Sequence, residues 1–246
     1  MSTTQNIPLI IPAFNQPSFV KQLVNWWKFY HPNNPVYIVD NGSTSKALHS
    51  YYREVQEKGG DIYIHAMPEN NMPGNMRAFI DTVIKNAGYE YYVISDPDIL
   101  PHPNTPFNYL EVLKGIIDSG CHRAGFNLII DNLPEDLYDK NNIVHNERTF
   151  LEAPVITHGK FTGYRAPIDT TFCLYTTKNS GWHAPMDGQD WSNCIRIFES
   201  FHLGWYLTDS NCNEEMEYYF NSAKFRTPGL PSAGMNNNRP SKFVKQ

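Results

Sequence analysis

Short β-branched runs alternate with segments of helical period through the first hundred residues, and that alternation admits few folds. Ile7 to Ile11 is an apolar run ended by Pro12, Asn15 and Pro17. Phe19, Leu23, Trp26, Trp27 and Tyr30 then recur at helical spacing, with Pro17 near the start, where its missing N–H is harmless. Val36-Tyr37-Ile38-Val39 predicts a second strand, ending at Asp40-Asn41-Gly42-Ser43, and Ala47 to Lys58 predicts a helix stopped by Gly59-Gly60. Ile62-Tyr63-Ile64 follows as a strand, Pro73 to Ala87 as a helix capped by Gly88, and Tyr91 to Ile94 as a fourth strand. Strands alternating with helices of about 10 to 15 residues predict an α/β fold, a mostly parallel central sheet with helices on both faces.

In such sheets ligands sit at the carboxyl ends of the strands. Asp40 ends the second strand, and Ser95-Asp96-Pro97-Asp98 follows the fourth. Two carboxylates one residue apart make a compact hard-oxygen site suited to Mg²⁺ or Mn²⁺, which take one or two protein carboxylates plus phosphate oxygens. Pro97 keeps Asp96 out of the helical region, so the chain must turn here. The same residues also suit a surface turn. Asp40, likewise, reads either as a ligand contact or as a turn cap ahead of Gly42.

Beyond residue 100 the texture changes. Phe107 to Ser119 predicts a helix, Ala124 to Ile130 a strand, Thr171 to Tyr175 a strand, and about Trp191 to Phe201 a helix. Between them a long polar stretch, Asp131 to about Arg165, reads as a functional or mobile loop. The region 1–226 reads as one domain in two parts, about 1–100 and about 101–226. Residues 227–246, rich in Pro, Gly and Asn, read as a flexible tail or lid.

Bulk properties exclude several classes. A chain of 246 residues can bury a substantial core, and its net charge of −5 with no basic run gives no footprint for nucleic acid. No apolar segment reaches the length of a membrane span, and Met1 to Asn6 has neither the basic start nor the apolar core of a signal peptide. Cys121, Cys173, Cys194 and Cys212 are widely spaced, which predicts reduced thiols and a cytoplasmic setting.

Taken in order, these segments resemble a known family. Ile10-Ile11-Pro12-Ala13-Phe14-Asn15, then Val39-Asp40-Asn41-Gly42-Ser43-Thr44, is similar to the opening of inverting family-2-like glycosyltransferases with the GT-A (Rossmann-like) fold. Asn71-Met72-Pro73-Gly74-Asn75-Met76-Arg77-Ala78 falls where that family carries its Asn/Gly/Arg segment, and Asp96-Pro97-Asp98 where it carries Asp-x-Asp. Gln189-Asp190-Trp191 with Arg196 and Gly204 looks like its Glu-Asp-Trp, Arg and Gly pattern, with Gln in the usual acidic place. Pro167-Ile168-Asp169-Thr170-Thr171-Phe172 resembles a block of small soluble viral and bacterial members.

The resemblance implies an enzyme that moves a sugar from a nucleotide diphosphate sugar, such as a UDP or GDP sugar, to a hydroxyl of a glycan acceptor. Pro12, Ala13, Phe14, Asp40, Asn71, Arg77, Asp96 and Trp191 would bind the nucleotide sugar, Arg77 at the phosphates. Asp98 would bind Mn²⁺ or Mg²⁺, with Asp96 at the ribose or a metal-bound water. His202 would be a third ligand, with His183 and His158 as alternatives. Asp190 would be the catalytic base, Asp187 its substitute, and Asp190 could instead cap a helix. Trp182, Trp191 and Trp205 could form a stacking platform for the acceptor, or pack in the core. Two other classes remain. A nucleotidyltransferase acting on sugar phosphates would need a Gly-rich phosphate loop that Asn15-Gln16-Pro17 does not supply, and a non-catalytic carbohydrate-binding module would bind sugar without nucleotide.

Overall fold

The computed structural model describes residues 6–137, 140–152, 154–168, 172–178 and 193–222. The first half follows the alternation. β1 (Leu9–Ala13), β2 (Val36–Asp40), β3 (Ile62–Ala66) and β4 (Tyr91–Ile94) are separated by α1 (Pro17–Tyr30), α2 (Lys46–Lys58) and α3 (Met72–Phe79). β1 lies between β2 and β4, parallel to both, and β2 is parallel to β3. α1 buries Phe19, Val20, Leu23, Val24 and Trp27, the stripe that a 3.6-residue period places on one face. The expected helix over 73–87 is divided: α3 passes into a π-helical turn, Ile80–Ile84.

The second half completes a ten-stranded sheet ordered β3-β2-β1-β4-β9-β6-β10-β8-β7, with β5 paired to β10. Its elements are β5 (Ile99–Pro101), α4 (Tyr109–Asp118), β6 (Arg123–Leu128), α5 (Lys140–Thr149), β7 (Pro154–His158), β8 (Phe161–Arg165), β9 (Cys173–Thr176), β10 (Cys194–His202) and α6 (Glu214–Ser222). Following the pairings across the sheet, seven strands run one way and three (β5, β8 and β9) run against them. The sheet is thus mostly parallel but mixed.

Two sequence expectations are corrected. The segment expected as a helix to Phe201 is the strand β10 over its described part. Cys194 to Phe198 is apolar or β-branched at nearly every position and is buried on both faces between β6 and β8, a pattern that periodicity alone does not separate from a buried helix. The stretch from Asp131 to Arg165 is not one loop: it holds α5 and the β7–β8 hairpin. α5 buries only Ile143, so its apolar signal is faint.

Aromatic rings fill the centre of the core. Tyr109, Phe126, Phe172 and Phe198 are fully buried and meet edge-on or tilted, with Trp27 beside them. His31, at the end of α1, packs on Trp27 and places Nε2 2.9 Å from the Tyr109 hydroxyl. Burial lowers its pKa to about 4, against a smaller raising effect of Glu111. The folded state therefore resists protonating His31 while the unfolded chain does not. That contribution is complete above the unfolded value near 6.5 and is lost as pH falls toward 4. From pH 7 to 5 the loss is at most about 2 kcal/mol. Urea melts of His31→Gln at the two pH values should show a shallower acid slope than the parent, and an identical slope would remove His31 as its source.

Candidate functional site

The parallel register brings the strand ends to one edge. Ala13 pairs with Asp40, and Asn41 donates its N–H to the Ala13 carbonyl at 2.8 Å. Ser95 donates its N–H to the Ile10 carbonyl at 3.2 Å, so the chain leaves β4 beside the end of β1. Pro12 and Ala13 are buried, and Phe14 at the turn is half-buried.

Asp40 is buried and already engaged. Oδ1 accepts the Ser43 N–H at 2.8 Å, and Oδ2 accepts the Tyr52 hydroxyl at 2.7 Å. Burial first, then the Asp40 charge, holds the Tyr52 phenol far above its usual range, so it stays a donor. The capping role is therefore real. A carboxylate has about four lone-pair sites, so two remain for a ligand. Gly42 follows at φ +74°, where a Cβ would stand 3.1 Å from the Glu69 backbone. The turn could not lie this close to Glu69 with a larger residue.

Asn15, which the sequence marks only as a strand-ending residue, organises this corner. It is fully buried at φ 54°, a conformation that Asn tolerates better than most residues. Its Oδ1 accepts the N–H groups of Thr44 and Ser45 at 2.8 and 2.9 Å, and its own N–H donates to Ser43 Oγ at 3.0 Å. Its Nδ2 donates to Ser222 Oγ of α6 at 2.8 Å. On the other flank Asn75 Nδ2 donates to Asn41 Oδ1 at 2.8 Å and to the Glu69 carbonyl at 2.9 Å, tying α3 to the turn. Asn71, just before α3, and Arg77, on it, are exposed.

Asp96 to Ile99 forms a β-turn. The Asp96 carbonyl accepts the Ile99 N–H at 3.2 Å, with Pro97 at the second position, where its fixed φ is favoured. The turn feeds β5, which runs antiparallel to β10 with Ile99 opposite His202. That pairing sets Asp98 against His202: Oδ2 and Nδ1 are 3.5 Å apart, and the two side chains are only 14% and 13% exposed. The Asp98 carbonyl accepts the Leu203 N–H at 2.7 Å. His202 Nδ1 is buried without a hydrogen bond, and its ring stacks on Trp205 at 4.7 Å and 6°. A Cβ on Gly204 would come within 3.0 Å of Asp98 Oδ2 and 3.1 Å of His202 Cε1, so glycine keeps the space beside the pair open.

One carboxylate oxygen and one imidazole nitrogen make a mixed pair that could take a divalent cation, the carboxylate being the half suited to Mg²⁺ or Mn²⁺. Two ligands at about 2.1 Å in neighbouring octahedral positions stand about 3 Å apart, so a small movement would bring Asp98 and His202 onto one ion. Among the described residues no group of three or more His, Cys, Asp or Glu side chains could hold a metal. The remaining positions would fall to phosphate and water, as is usual for Mg²⁺.

Other expected residues stand elsewhere. His158 is exposed on β7, the edge strand beyond β8, and makes no described contact with the pair. Trp205 is buried against His202 and the core rather than open as a platform. Arg196 is buried, with Nη1 2.7 Å from Glu147 Oε2 and its guanidinium over the Phe150 ring at 4.7 Å, which anchors α5 to β10. Asp169, Trp182, His183, Asp187, Gln189, Asp190, Trp191 and the tail from 227 lie outside the described residues. Among the described residues no helix is long and apolar enough to cross a membrane.

A scan of protein families finds no match, and no curated protein matches the sequence. Solved structures do resemble the fold at low identity. The mannosyltransferase PcManGT from Pyrobaculum calidifontis, solved with GDP-mannose and Mn²⁺, is 16% identical with a TM-score of 0.46, over 82% of this chain and 62% of its own. Glucosyl-3-phosphoglycerate synthase from Mycobacterium tuberculosis, solved with phosphoglyceric acid, is 13% identical with a TM-score of 0.42, over 71% and 58%. TarS residues 1–349 from S. aureus, solved with UDP-GlcNAc, is 15% identical with a TM-score of 0.37, over 55% and 38%. The chain thus spans less than two thirds of each of these chains.

Asn15→Ala removes the side-chain hydrogen bonds to Thr44, Ser45 and Ser222, one buried and two part-buried, and leaves alanine at positive φ. Urea unfolding should report a loss of about 3 kcal/mol. A loss within a few tenths would show that the corner does not depend on Asn15.

Proposed function

We propose that this chain is a metal-dependent inverting glycosyltransferase that moves a sugar from a nucleotide diphosphate sugar to a hydroxyl of a glycan acceptor. The observation that carries the reading is the Asp98–His202 pair with its unpartnered Nδ1, at the end of β4 and on the same sheet edge as the Asp40 turn. The order of motifs from Ile10 to Gly204 supports the same class.

In this reading Pro12, Ala13, Phe14 and Asp40 receive the nucleoside, with the free lone pairs of Asp40 accepting from base or ribose. Asn71 and Arg77 face the phosphates from α3, where the planar guanidinium suits their geometry. Asp98 and His202 would hold Mn²⁺ or Mg²⁺, which would supply positive charge against the departing diphosphate. Asp96 would contact the ribose or a metal-bound water. The acceptor oxygen forms a bond to the anomeric carbon as the bond to the diphosphate breaks through an oxocarbenium-like state. By the resemblance, its proton would pass to the Asp190 carboxylate and Trp191 would contribute to binding the nucleotide sugar. The nucleoside diphosphate leaves, and the anomeric configuration inverts.

A thermal-shift screen of UDP, GDP, dTDP and CDP sugars, with and without Mn²⁺, identifies the donor, because a ligand that binds only the folded chain raises its Tm. One donor should stabilise the protein in a Mn²⁺-dependent way. GDP-mannose and UDP-GlcNAc are the first to try. Stabilisation by sugars alone, without any nucleotide response, would favour a carbohydrate-binding module.

Asp98→Asn should abolish Mn²⁺-dependent donor turnover while the fold survives, and full turnover in that variant would remove the metal assignment. Asp190→Asn should bind donor as the parent does but lose transfer by about 10²-fold or more, the usual worth of a positioned base. Unchanged transfer would sink Asp190 as the base.

A further inference from the structure

The segment after His202 runs across the site edge and is braced along its length. Leu203–Tyr206 is a short 3₁₀ turn. Thr208 accepts the Cys212 N–H at 3.0 Å on its carbonyl, and the Thr208 N–H donates to Asn211 Oδ1 at 2.7 Å. Asn211 Nδ2 donates back to the Tyr206 carbonyl at 2.8 Å. Asn213 Oδ1 accepts the Met216 N–H at 3.0 Å at the start of α6. One end of this braced segment is the histidine that faces Asp98; the other is α6.

α6 does more than cover apolar surface. Met216 and Phe220 pack on Phe19, but the polar residues of the helix reach both turns of the Asp40 corner. Glu215 takes the Ser18 N–H and hydroxyl on its two oxygens, at 2.9 and 2.5 Å. Tyr218 Oη lies 2.8 Å from Thr44 Oγ1, and Ser222 Oγ accepts from Asn15 Nδ2 at 2.8 Å. Tyr219 meets the half-buried Phe14 ring edge-on, centroids 6.5 Å apart. One helix thus grips the turn after β1 and the turn after β2 together.

We infer that α6 is a clasp for the nucleoside end of the donor, with Tyr218 and Ser222 as positioning residues that hold Thr44 and Asn15 where the Asp40 turn reads the nucleotide. The inference rests on the nucleotide-sugar reading above. The clasp acts on the nucleoside and not on the diphosphate, because its bonds reach the Asn15–Thr44 corner while the cation and phosphates belong to Asp98, His202 and Arg77. Its effect is preorganisation: a turn already fixed loses less freedom on binding.

The test uses Tyr218→Phe with Ser222→Ala in the full chain, which keeps Met216 and Phe220 and so the packed face of α6. Two probes are titrated with Mn²⁺ by calorimetry: the nucleoside diphosphate that best stabilises the parent, and inorganic pyrophosphate. The nucleoside diphosphate should bind about tenfold more weakly to the variant, the worth of one to two hydrogen bonds, and pyrophosphate should bind as before. Unchanged nucleotide affinity overturns the clasp and leaves the transferase reading standing. A parallel loss of both affinities also overturns it, as general damage to the site. A parent that binds no nucleoside diphosphate overturns the reading and the clasp together.

Discussion

Every residue of β1 is buried, and its backbone is paired in parallel on both sides, to β2 and to β4. A strand so placed cannot slip by one residue without exchanging its two buried faces. That fixed register makes the ends of three strands coincide. Ala13 lies level with Asp40, and Ser95 bonds back to Ile10, so the Asn15 turn, the Ser43–Ser45 turn and the Asp96–Ile99 turn share one edge. The second half adds one further constraint. β10 ends antiparallel to β5 with His202 opposite Ile99, which brings His202, remote in sequence, beside Asp98.

The first half was legible because each strand is an unbroken apolar run and each helix carries a clean stripe. The second half was less so for a physical reason. β10 is buried on both faces between strands, which erases the alternation that marks a strand, whereas α5 and β7 are mostly exposed and carry too few apolar residues to give any period. The Asp40 and Asp98 positions could be read from short motifs at strand ends. The grip of α6 on Asn15 could not, because its bonds span 207 residues of sequence and use ordinary Ser and Tyr side chains.

At Asp98 and at Asp40, forming a turn and offering a carboxylate oxygen are compatible. In Asp96–Ile99 the backbone makes the turn, and it is the turn that frees the Asp98 side chain to face His202. At Asp40 the side chain itself stabilises the turn and retains lone pairs beyond those it uses. The corners therefore differ in kind. The Asp40 corner is tied by several side-chain hydrogen bonds, while at the Asp98 corner His202 Nδ1 has no hydrogen bond among the described residues.

That nitrogen is the less expected feature. A buried, unpaired polar atom costs about 1–3 kcal/mol and persists only where its surroundings over-determine it. Here they do: Trp205 stacks on the imidazole, β5 fixes the backbone at His202, and the Leu203 N–H is tied to the Asp98 carbonyl. At 3.5 Å the carboxylate is too far to satisfy Nδ1 well, and Gly204 leaves the adjoining space clear. Among the described residues nothing else bonds this nitrogen, and a cation between His202 and Asp98 would satisfy both groups at once. Because His202 opens the braced segment that ends in α6, the same ring links the phosphate end of the proposed donor site to its nucleoside end.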